Sequence, residues 1–257
     1  MLTLVGLGLC DEKDLSLRGL EEVNKADKVY LEIYTTFWFG DVKKLEELVN
    51  KEVKVLKRKD LEENSEKILE EAEGKNVVIL VGGDPLVATT HSALILEAKK
   101  RNIKTKIIHN SSIFSAVAET GLHIYKFGPC VTIPFLEKTK GKLPESVYDV
   151  IKMNKARGLH TLCLLDIEAD GNKIMDVREA LEILIKIEES RRENVIDLKE
   201  RIIVASRIGS EESRIFYEEV RDLLKEEVKK PAVLIIPGLL HFTEREFLKV
   251  ISSSLHD

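Results

Sequence analysis

Short apolar runs alternate with amphipathic segments over the first 120 residues of the chain. The runs have the length and the β-branched content of buried strands, and they lie at 2–5, 28–33, 53–56, 76–81 and 104–108. Between them, apolar residues recur at helical spacing near 16–26, 42–49, 64–73 and 85–101. This alternation predicts a mostly parallel sheet with helices on both faces.

A segment at 121–129, which begins with Gly121 and ends in Gly128-Pro129, separates this part from a second series of predicted strands and helices. The later pattern predicts strands at 131–134, 160–167, 201–206 and 232–236, and helices at 145–157, 176–192, 211–225 and 243–252. We therefore expect two domains, 1–122 and 123–257.

Composition limits the class of protein. The chain of 257 residues is 44% hydrophobic, which suffices for packed cores, and it has no run of about 18 apolar residues. Since no signal-like segment opens it, we expect a cytoplasmic protein with no membrane partner. Three cysteines far apart argue against a disulfide framework or a CxxC metal site, and the net charge of −5 disfavours nucleic-acid binding without excluding it.

A glycine loop, Gly6-Leu7-Gly8-Leu9, follows the first predicted strand. A dinucleotide-binding fingerprint would place a third glycine at position 11, where this chain has Asp11. Because an acidic loop repels phosphate, a nicotinamide or flavin dinucleotide is disfavoured, whereas a cationic ligand is compatible. GxxxxGK[ST], GxSxG and HExxH motifs are also absent, so a P-loop, a nucleophile elbow and a catalytic metal are not indicated.

The stretch Leu80–His91 joins a buried strand, a glycine turn and a predicted helix start. Gly82 and Gly83 allow positive φ and close approach of a ligand. Asp84 before Pro85 matches the N-cap and first position of a helix, so Asp84 is either a structural cap or part of a ligand loop at the strand's carboxyl end. Both roles remain open at this point.

Other candidate residues also carry two interpretations. His91, His123 and His241 are candidates for a base, although a lone histidine more often has a structural role. Phe37-Trp38-Phe39 is expected to be local core or a subunit interface, or alternatively a substrate-binding lid.

Five strings of residues together resemble the archaeal diphthine synthases, a branch of the tetrapyrrole-methylase-like (class III) S-adenosylmethionine methyltransferases. They are GLGL at 6–9, GGDPLVATTH at 82–91, NSSIFSAV at 110–117, GLHIYKFG at 121–128 and GLHTLCLLDI at 158–167. The likeness extends to 237–241, essentially the whole chain. Two positions depart from the family pattern: Gly82 stands where proline is common, and Asn110-Ser111 where Ala-Pro is frequent.

The resemblance implies two α/β domains, the N-terminal one with a mostly parallel sheet and the C-terminal one with a mixed sheet, and S-adenosylmethionine in the cleft between them. Asp84 is expected near the amino-acid part of this cofactor. The implied cofactor residues are Leu9, Asp84, Val87, Ser112, Ile113, Leu165, Ile208 and Ala232, the last three near the adenosine. No metal is implied.

The resemblance also implies a homodimer whose protein substrate is translation elongation factor 2. Three methyl groups would pass to the amino group of a 3-amino-3-carboxypropyl-histidine, giving diphthine and S-adenosylhomocysteine. Methyl transfer from a sulfonium is an in-line displacement that needs positioning rather than a metal or a covalent intermediate. The sequence identifies no catalytic base, and the fold alone leaves open a tetrapyrrole or ribosomal RNA methyltransferase and a non-enzymatic cofactor-binding protein.

Overall fold

The computed structural model describes residues 1–168 and 173–253 of the chain. The chain forms two compact units, one spanning Met1–Ala116 and the other beginning at Val117. The boundary between residues 122 and 123 stays a prediction.

The first unit is built on a five-stranded sheet in which every pair is parallel, in the order β3-β2-β4-β1-β5. Its strands are β1 (Leu2–Gly6), β2 (Lys28–Glu32), β3 (Lys54–Leu56), β4 (Val77–Val81) and β5 (Thr105–Ile108). Its helices are α1 (Leu17–Asn24), α2 (Val42–Val49), α3 (Arg58–Glu62), α4 (Glu66–Gly74), α5 (His91–Lys100) and α6 (Ile113–Ala116). The predicted parallel sheet is confirmed.

The central strands explain why the sheet forms. β1 and β4 are buried along their whole length, and they pair in register from Leu2 opposite Val77 to Gly6 opposite Val81. Continuous apolar runs of this kind are typical of parallel strands covered on both faces, and separate apolar clusters pack on the two faces of the sheet.

One helix prediction in this unit is wrong at its N-terminus. The segment 85–101 is helical only from His91. Ala88 has a φ of +56°, and the Pro85 carbonyl accepts hydrogen bonds from side chains further along, so residues 85–90 form turns instead.

The second unit is built on a mixed sheet in the order β11-β10-β12-β7-β6, in which β6 and β7 are parallel and the other pairs antiparallel. Its strands are β6 (Val131–Ile133), β7 (Thr161–Leu165), β10 (Arg201–Ser206), β11 (Arg214–Glu219) and β12 (Ala232–Ile236), and β8 (Ile167–Glu168) pairs with β9 (Lys173–Ile174) in a separate ribbon. Its helices are α7 (Glu145–Ala156), α8 (Val177–Arg191), α9 (Val220–Leu223) and α10 (Phe242–Ser253). The mixed sheet is as expected.

The predicted helix at 211–225 is wrong. Residues Arg214–Glu219 form β11, an edge strand that pairs antiparallel with the whole of β10, and α9 is a single turn after it. The string Arg-Ile-Phe-Tyr-Glu-Glu is rich in β-branched and aromatic residues, and a partner strand satisfies its backbone. This partner is set by tertiary structure, which local spacing does not reveal.

Within the described residues, the structure contains no helix of the length and apolar character required to cross a membrane.

Candidate active site

The carboxyl ends of β1 and β4 form a topological switch point in the first sheet. The two strands are neighbours, yet the chain leaves β1 toward β2 on one side and leaves β4 toward β5 on the other. Right-handed crossovers then lie on opposite faces, so a crevice opens between the two strand ends. Ligands of open α/β sheets bind in such a crevice, and we therefore take this edge as the candidate active site.

The loops after β1 and β4 are joined through their backbones. The Gly8 N–H donates to the Gly83 carbonyl at 3.2 Å, and the Gly83 N–H donates to the Gly8 carbonyl at 2.8 Å. A Cβ at Gly6 would lie 2.6 Å from the Gly83 carbonyl oxygen. At Gly83, which has a φ of +70°, a Cβ would meet nothing among the described residues closer than Ser112 Cβ at 3.9 Å. The edge is thus tightly packed at Gly6 and leaves room for a ligand at Gly83.

Asp14 is bonded to the backbone donors of the loop after β1. One carboxylate oxygen accepts hydrogen bonds from the Leu9 N–H at 3.0 Å and the Cys10 N–H at 2.7 Å. The close approach requires glycine at position 8, since a Cβ there would lie 2.6 Å from the Asp14 Cβ. Because both N–H groups are already bonded to Asp14, neither is available to bind a phosphate group.

Asp84 ties the loop after β4 to the loop after β5. Its Oδ1 accepts from the Leu86 N–H at 3.0 Å, and its Oδ2 accepts from the His109 Nδ1–H at 2.8 Å and the Asn110 N–H at 3.2 Å. The helix-cap interpretation of Asp84 is wrong, because α5 begins seven residues later at His91. The carboxylate instead holds the shape of the loop.

Asn110 cross-links the same edge from the other side. Its Nδ2 donates to the carbonyls of Gly6 and Asp14, both at 2.9 Å. An alanine at this position would make neither bond. The Asn110 side chain thus links the loop after β5 to Gly6 and Asp14.

Five of the predicted cofactor residues lie at this edge. Asp84 and Ser112 are buried, whereas Leu9, Val87 and Ile113 are half-buried. Ser112 directly precedes α6, and its carbonyl accepts hydrogen bonds from the Ser115 and Ala116 N–H groups of that helix.

The other three predicted residues share one end of the second unit's sheet. Leu165 ends β7, Ala232 begins the antiparallel β12, and Ile208 follows β10, whose Ser206 pairs with Ala232. A role in cofactor binding stays a prediction for all eight residues.

A buried ion pair links β2 to the loop after β4. Glu32 Oε2 lies 3.2 Å from His91 Nε2, and His91 Nδ1 lies 3.0 Å from the Pro85 carbonyl oxygen. Both ring nitrogens lie near oxygen acceptors, an arrangement that favours the doubly protonated ring. Burial lowers the pKa of His91, but the hydrogen bond and the charge of Glu32 outweigh burial and raise this pKa above its ordinary value. His91 is buried at this contact, in agreement with a structural role rather than that of a base.

A second buried carboxylate, Glu244 in α10, gathers residues of the distinctive strings in the second unit. Its Oε1 accepts from the His123 N–H at 2.8 Å and His160 Nε2 at 3.1 Å, and its Oε2 accepts from Lys126 Nζ at 2.5 Å and the His241 N–H at 2.7 Å. Burial raises the pKa of Glu244, but these donors, Lys126 foremost, outweigh burial and lower it to about 2.

The ring of His160 is neutral. Its Nδ1 accepts a hydrogen bond from the Gly238 N–H at 2.9 Å, so the hydrogen is on the Nε2 that faces Glu244. Burial lowers the pKa of His160, and the opposing effect of Glu244 does not restore it.

His123 and His241, the other candidate bases, belong to this Glu244 cluster. His160 immediately precedes β7 and Gly238 follows β12, so the cluster lies at the opposite end of the second sheet from Leu165. His123 has partners on both ring nitrogens, the hydroxyls of Tyr125 and Thr243, each at 3.2 Å. Neither histidine is near the predicted adenosine residues of its own unit.

The aromatic segment and the cysteines add no chemistry to the site. Trp38 is 9% exposed and packs in the core with α2, in agreement with the core interpretation, and Phe37 and Phe39 meet edge to face at 4.9 Å. Cys10, Cys130 and Cys163 are free thiols. In the part of the chain that is described, no group of three His, Cys, Asp or Glu residues is placed to hold a metal ion.

Sequence reasoning missed His109, Glu32, Asp14 and Glu244. Glu32 carried a signal, since a carboxylate at the end of an apolar strand must have a partner if it is buried. His109 carried a weaker one, because it directly follows a strand at the ligand edge. The partners of both lie far away in sequence.

Comparison with known proteins identifies the family. The model of the tetrapyrrole (corrin/porphyrin) methylases matches residues 1–224. The chain belongs to this family.

Similar proteins narrow the assignment within it. The chain is 44% identical over 259 residues to the diphthine synthase of Methanocaldococcus jannaschii, covering 99% of this chain and 100% of that protein. It is 42% identical to the diphthine synthase of Methanococcus aeolicus, with 100% of both chains covered. A crystal structure of a putative diphthine synthase from Entamoeba histolytica superposes with a TM-score of 0.89 at 36% identity, covering 98% of each chain. The protein is thus an enzyme, a methyltransferase of the diphthine synthase group, which acts in diphthamide biosynthesis.

Proposed function

We propose that the enzyme uses S-adenosylmethionine to trimethylate the amino group of the 3-amino-3-carboxypropyl-histidine of translation elongation factor 2. The observation that carries the proposal is the 44% identity to a diphthine synthase over the full length of both chains. The product would be diphthine, and the spent donor S-adenosylhomocysteine.

The first unit has features that suit this cofactor, which supplies an electrophilic methyl group on a sulfonium. Gly83 leaves room at the switch point, and Asp84 and Asp14 make the edge acidic, which favours a cationic ligand. We keep as proposed contacts the eight residues Leu9, Asp84, Val87, Ser112, Ile113, Leu165, Ile208 and Ala232. The task of these residues is to bind and orient the donor and to exclude water.

The experiment uses elongation factor 2 that carries the aminocarboxypropyl-histidine, incubated with the enzyme and methyl-labelled S-adenosylmethionine. Mass spectrometry should show three added methyl groups on that residue. The same factor with the target histidine replaced is the control and should gain none. A fourth methyl group, or label accepted by a tetrapyrrole or ribosomal RNA but not by the factor, would contradict the proposal.

Asp84→Ala tests the cofactor loop. The substitution removes the acceptor that joins two loops at the edge, so the dissociation constant for S-adenosylmethionine, measured by calorimetry, should rise more than tenfold. Asp41→Ala is the matched control, since Asp41 caps α2 through the Lys43 and Lys44 N–H groups. It should cost about 1 kcal/mol of stability and leave the dissociation constant unchanged. If Asp84→Ala and the wild type have equal dissociation constants for S-adenosylmethionine, the loop has a purely structural role.

We further propose that the enzyme is a cytoplasmic homodimer that binds neither nucleic acid nor membrane. Light scattering coupled to size exclusion should give twice the chain mass of 29.2 kDa.

A further inference from the structure

An Asp–His pair stands at the candidate active site with one imidazole nitrogen open to solvent. Asp84 Oδ2 lies 2.8 Å from His109 Nδ1, and the two side chains are 7% and 68% exposed. A carboxylate accepts hydrogen bonds, so Nδ1 carries the hydrogen and the neutral ring has its lone pair on Nε2. Among the described residues, nothing forms a hydrogen bond with that Nε2.

Asp84 is held firmly enough to orient the ring. Its other contacts are backbone N–H groups, those of Leu86 and Asn110, and the Asn110 side chain is itself bonded to two carbonyls. The ring is therefore fixed by a buried anion on one nitrogen and is free to react at the other, the arrangement that orients a general base.

The other described histidines do not offer this arrangement at the same edge. His91 and His160 are buried with both ring nitrogens facing partners. His123 and His241 belong to the Glu244 cluster in the second unit. His109 alone, among the histidines that the structure describes, follows a strand of the first sheet at its carboxyl end with a nitrogen exposed.

The proposed reaction requires a proton acceptor three times. An ammonium loses a proton, the amine nitrogen forms a bond to the methyl carbon, and the carbon–sulfur bond breaks with its electron pair on sulfur. The resulting methylammonium must lose a proton before the second transfer, and the dimethylammonium before the third. Three methyl groups are thus added and three protons released, after which the quaternary nitrogen has none.

The geometry points to His109 as the catalytic base, with Nε2 taking the proton from the acceptor ammonium and Asp84 orienting the ring. This inference rests on the proposed N-methylation. The exposure of His109 is part of its role, since the imidazolium must give its proton to water before each following transfer.

His109→Asn is the decisive variant, because the amide Nδ2 stands where Nδ1 stood and keeps the bond to Asp84 while Nε2 is lost. At neutral pH we expect kcat to fall about 10²-fold, with the dissociation constant for S-adenosylmethionine and the melting temperature unchanged. The rate should recover as the pH is raised until the acceptor amine loses its proton unaided. Recovery at high pH separates a lost base from a structural defect.

His123→Asn is the matched control and should retain the wild-type rate and pH profile. A His109→Asn enzyme within twofold of the wild-type rate, or one whose deficit is the same at every pH, would overturn the inference. So would an equal loss with equal recovery at high pH in His123→Asn. If the wild-type enzyme itself transfers no methyl group to the factor, the proposed function fails and the inference falls with it.

The tautomer supplies a readout that does not depend on turnover. Nitrogen-15 spectra of the free enzyme should show the neutral His109 ring protonated on Nδ1, and Asp84→Ala should abolish this preference. A neutral ring protonated on Nε2 in the wild type would contradict the proposed orientation.

Discussion

Each unit contains a fully buried glutamate that faces a buried histidine, yet the pKa values of the two histidines are shifted in opposite directions. In the first unit His91 lies between Glu32 and the Pro85 carbonyl, and its pKa is raised. In the second unit His160 lies between Glu244 and the Gly238 N–H, and its pKa is lowered. The neighbour on the far side of the ring differs, an acceptor in one case and a donor in the other.

The comparison shows that a carboxylate does not by itself decide whether a buried histidine is charged. Where the second nitrogen meets a carbonyl, the doubly protonated ring is favoured and the pKa of the histidine is raised. Where it meets an N–H group, the ring stays neutral and the carboxylate takes another cation, here Lys126 at 2.5 Å. His91 can lose its Nε2 hydrogen and accept a bond there, whereas the Gly238 N–H keeps the hydrogen of His160 on Nε2. The two pairs should therefore respond differently to the same substitution.

The largest effect is expected from Glu244→Gln. All four groups around Glu244 donate hydrogen bonds, two to each oxygen, so the amide NH₂ of a glutamine would face donors in either orientation. His160 cannot become an acceptor there, because the Gly238 N–H group occupies its Nδ1 and keeps the hydrogen on Nε2. We expect a loss of about 4 kcal/mol in the free energy of unfolding, measured with denaturant. Glu145→Gln, at an exposed side chain, is the control and should change the free energy of unfolding little. An equally small loss in Glu244→Gln would show that the buried donors around Glu244 do not require a carboxylate.

Acid should weaken the second unit next most strongly. The pKa of Glu244 is lowered to about 2 from an ordinary 4.5, so its contribution is complete above pH 4.5 and is lost as the pH falls through 2. The difference amounts to about 3 kcal/mol. Unfolding curves of wild type and Glu244→Gln, taken from about pH 5 downward, should converge. Parallel curves would show that Glu244 is not the titrating group.

Glu32→Gln should cost less, about 1 kcal/mol. The amide oxygen still accepts from Thr35, and the amide NH₂ can donate to His91 Nε2 once the ring becomes neutral and keeps its Nδ1–H on Pro85. An NMR titration should show a lower pKa for His91 than in the wild type. A cost equal to that of Glu244→Gln would mean that the His91 ring does not give up its Nε2 hydrogen; Glu97→Gln, at an exposed ion pair, is the control.

The smallest effect is an alkaline one and has the opposite sign to that of Glu244. Since the folded-state pKa of His91 is raised above 6.5, its contribution is complete below 6.5 and is lost as the pH rises through the raised value. Hydrogen exchange at the amides of β2 should quicken over this range, after correction for intrinsic rates, and should do so less in Glu32→Gln. Equal quickening in both proteins would assign the change elsewhere.

Sequence patterns predicted the fold where burial alone determines structure. Most strands were placed within a residue or two because they are continuous apolar runs covered on both faces. The strand β11 was mistaken for a helix because its conformation depends on pairing with β10. The turns at residues 85–90 were mistaken for helix because His91 and Thr89 bond the Pro85 carbonyl, contacts that helical spacing does not encode.

The candidate site was predicted in outline and missed in its polar detail. Glycines after β1 and β4 marked the edge, and Leu9, Asp84, Val87, Ser112 and Ile113 lie there. The Asp84–His109 bond joins residues 25 positions apart, on loops whose proximity follows from strand order alone. Loop proximity is predictable from a parallel sheet, but which side chains bond across it depends on loop conformations that the pattern does not specify.

The Asp14 carboxylate has a consequence for the choice among metabolites. The proposed methyl donor shares its adenosine with ATP and the nicotinamide coenzymes, which are competitors that carry phosphates. At the proposed site these competitors would face a loop after β1 whose backbone N–H groups are already bonded to the Asp14 carboxylate, which also places negative charge there. A protein can thus discriminate among molecules that share an adenosine by bonding its own N–H groups internally, so that phosphate finds no donor. This discrimination requires no contact with the sulfonium group of the proposed cofactor.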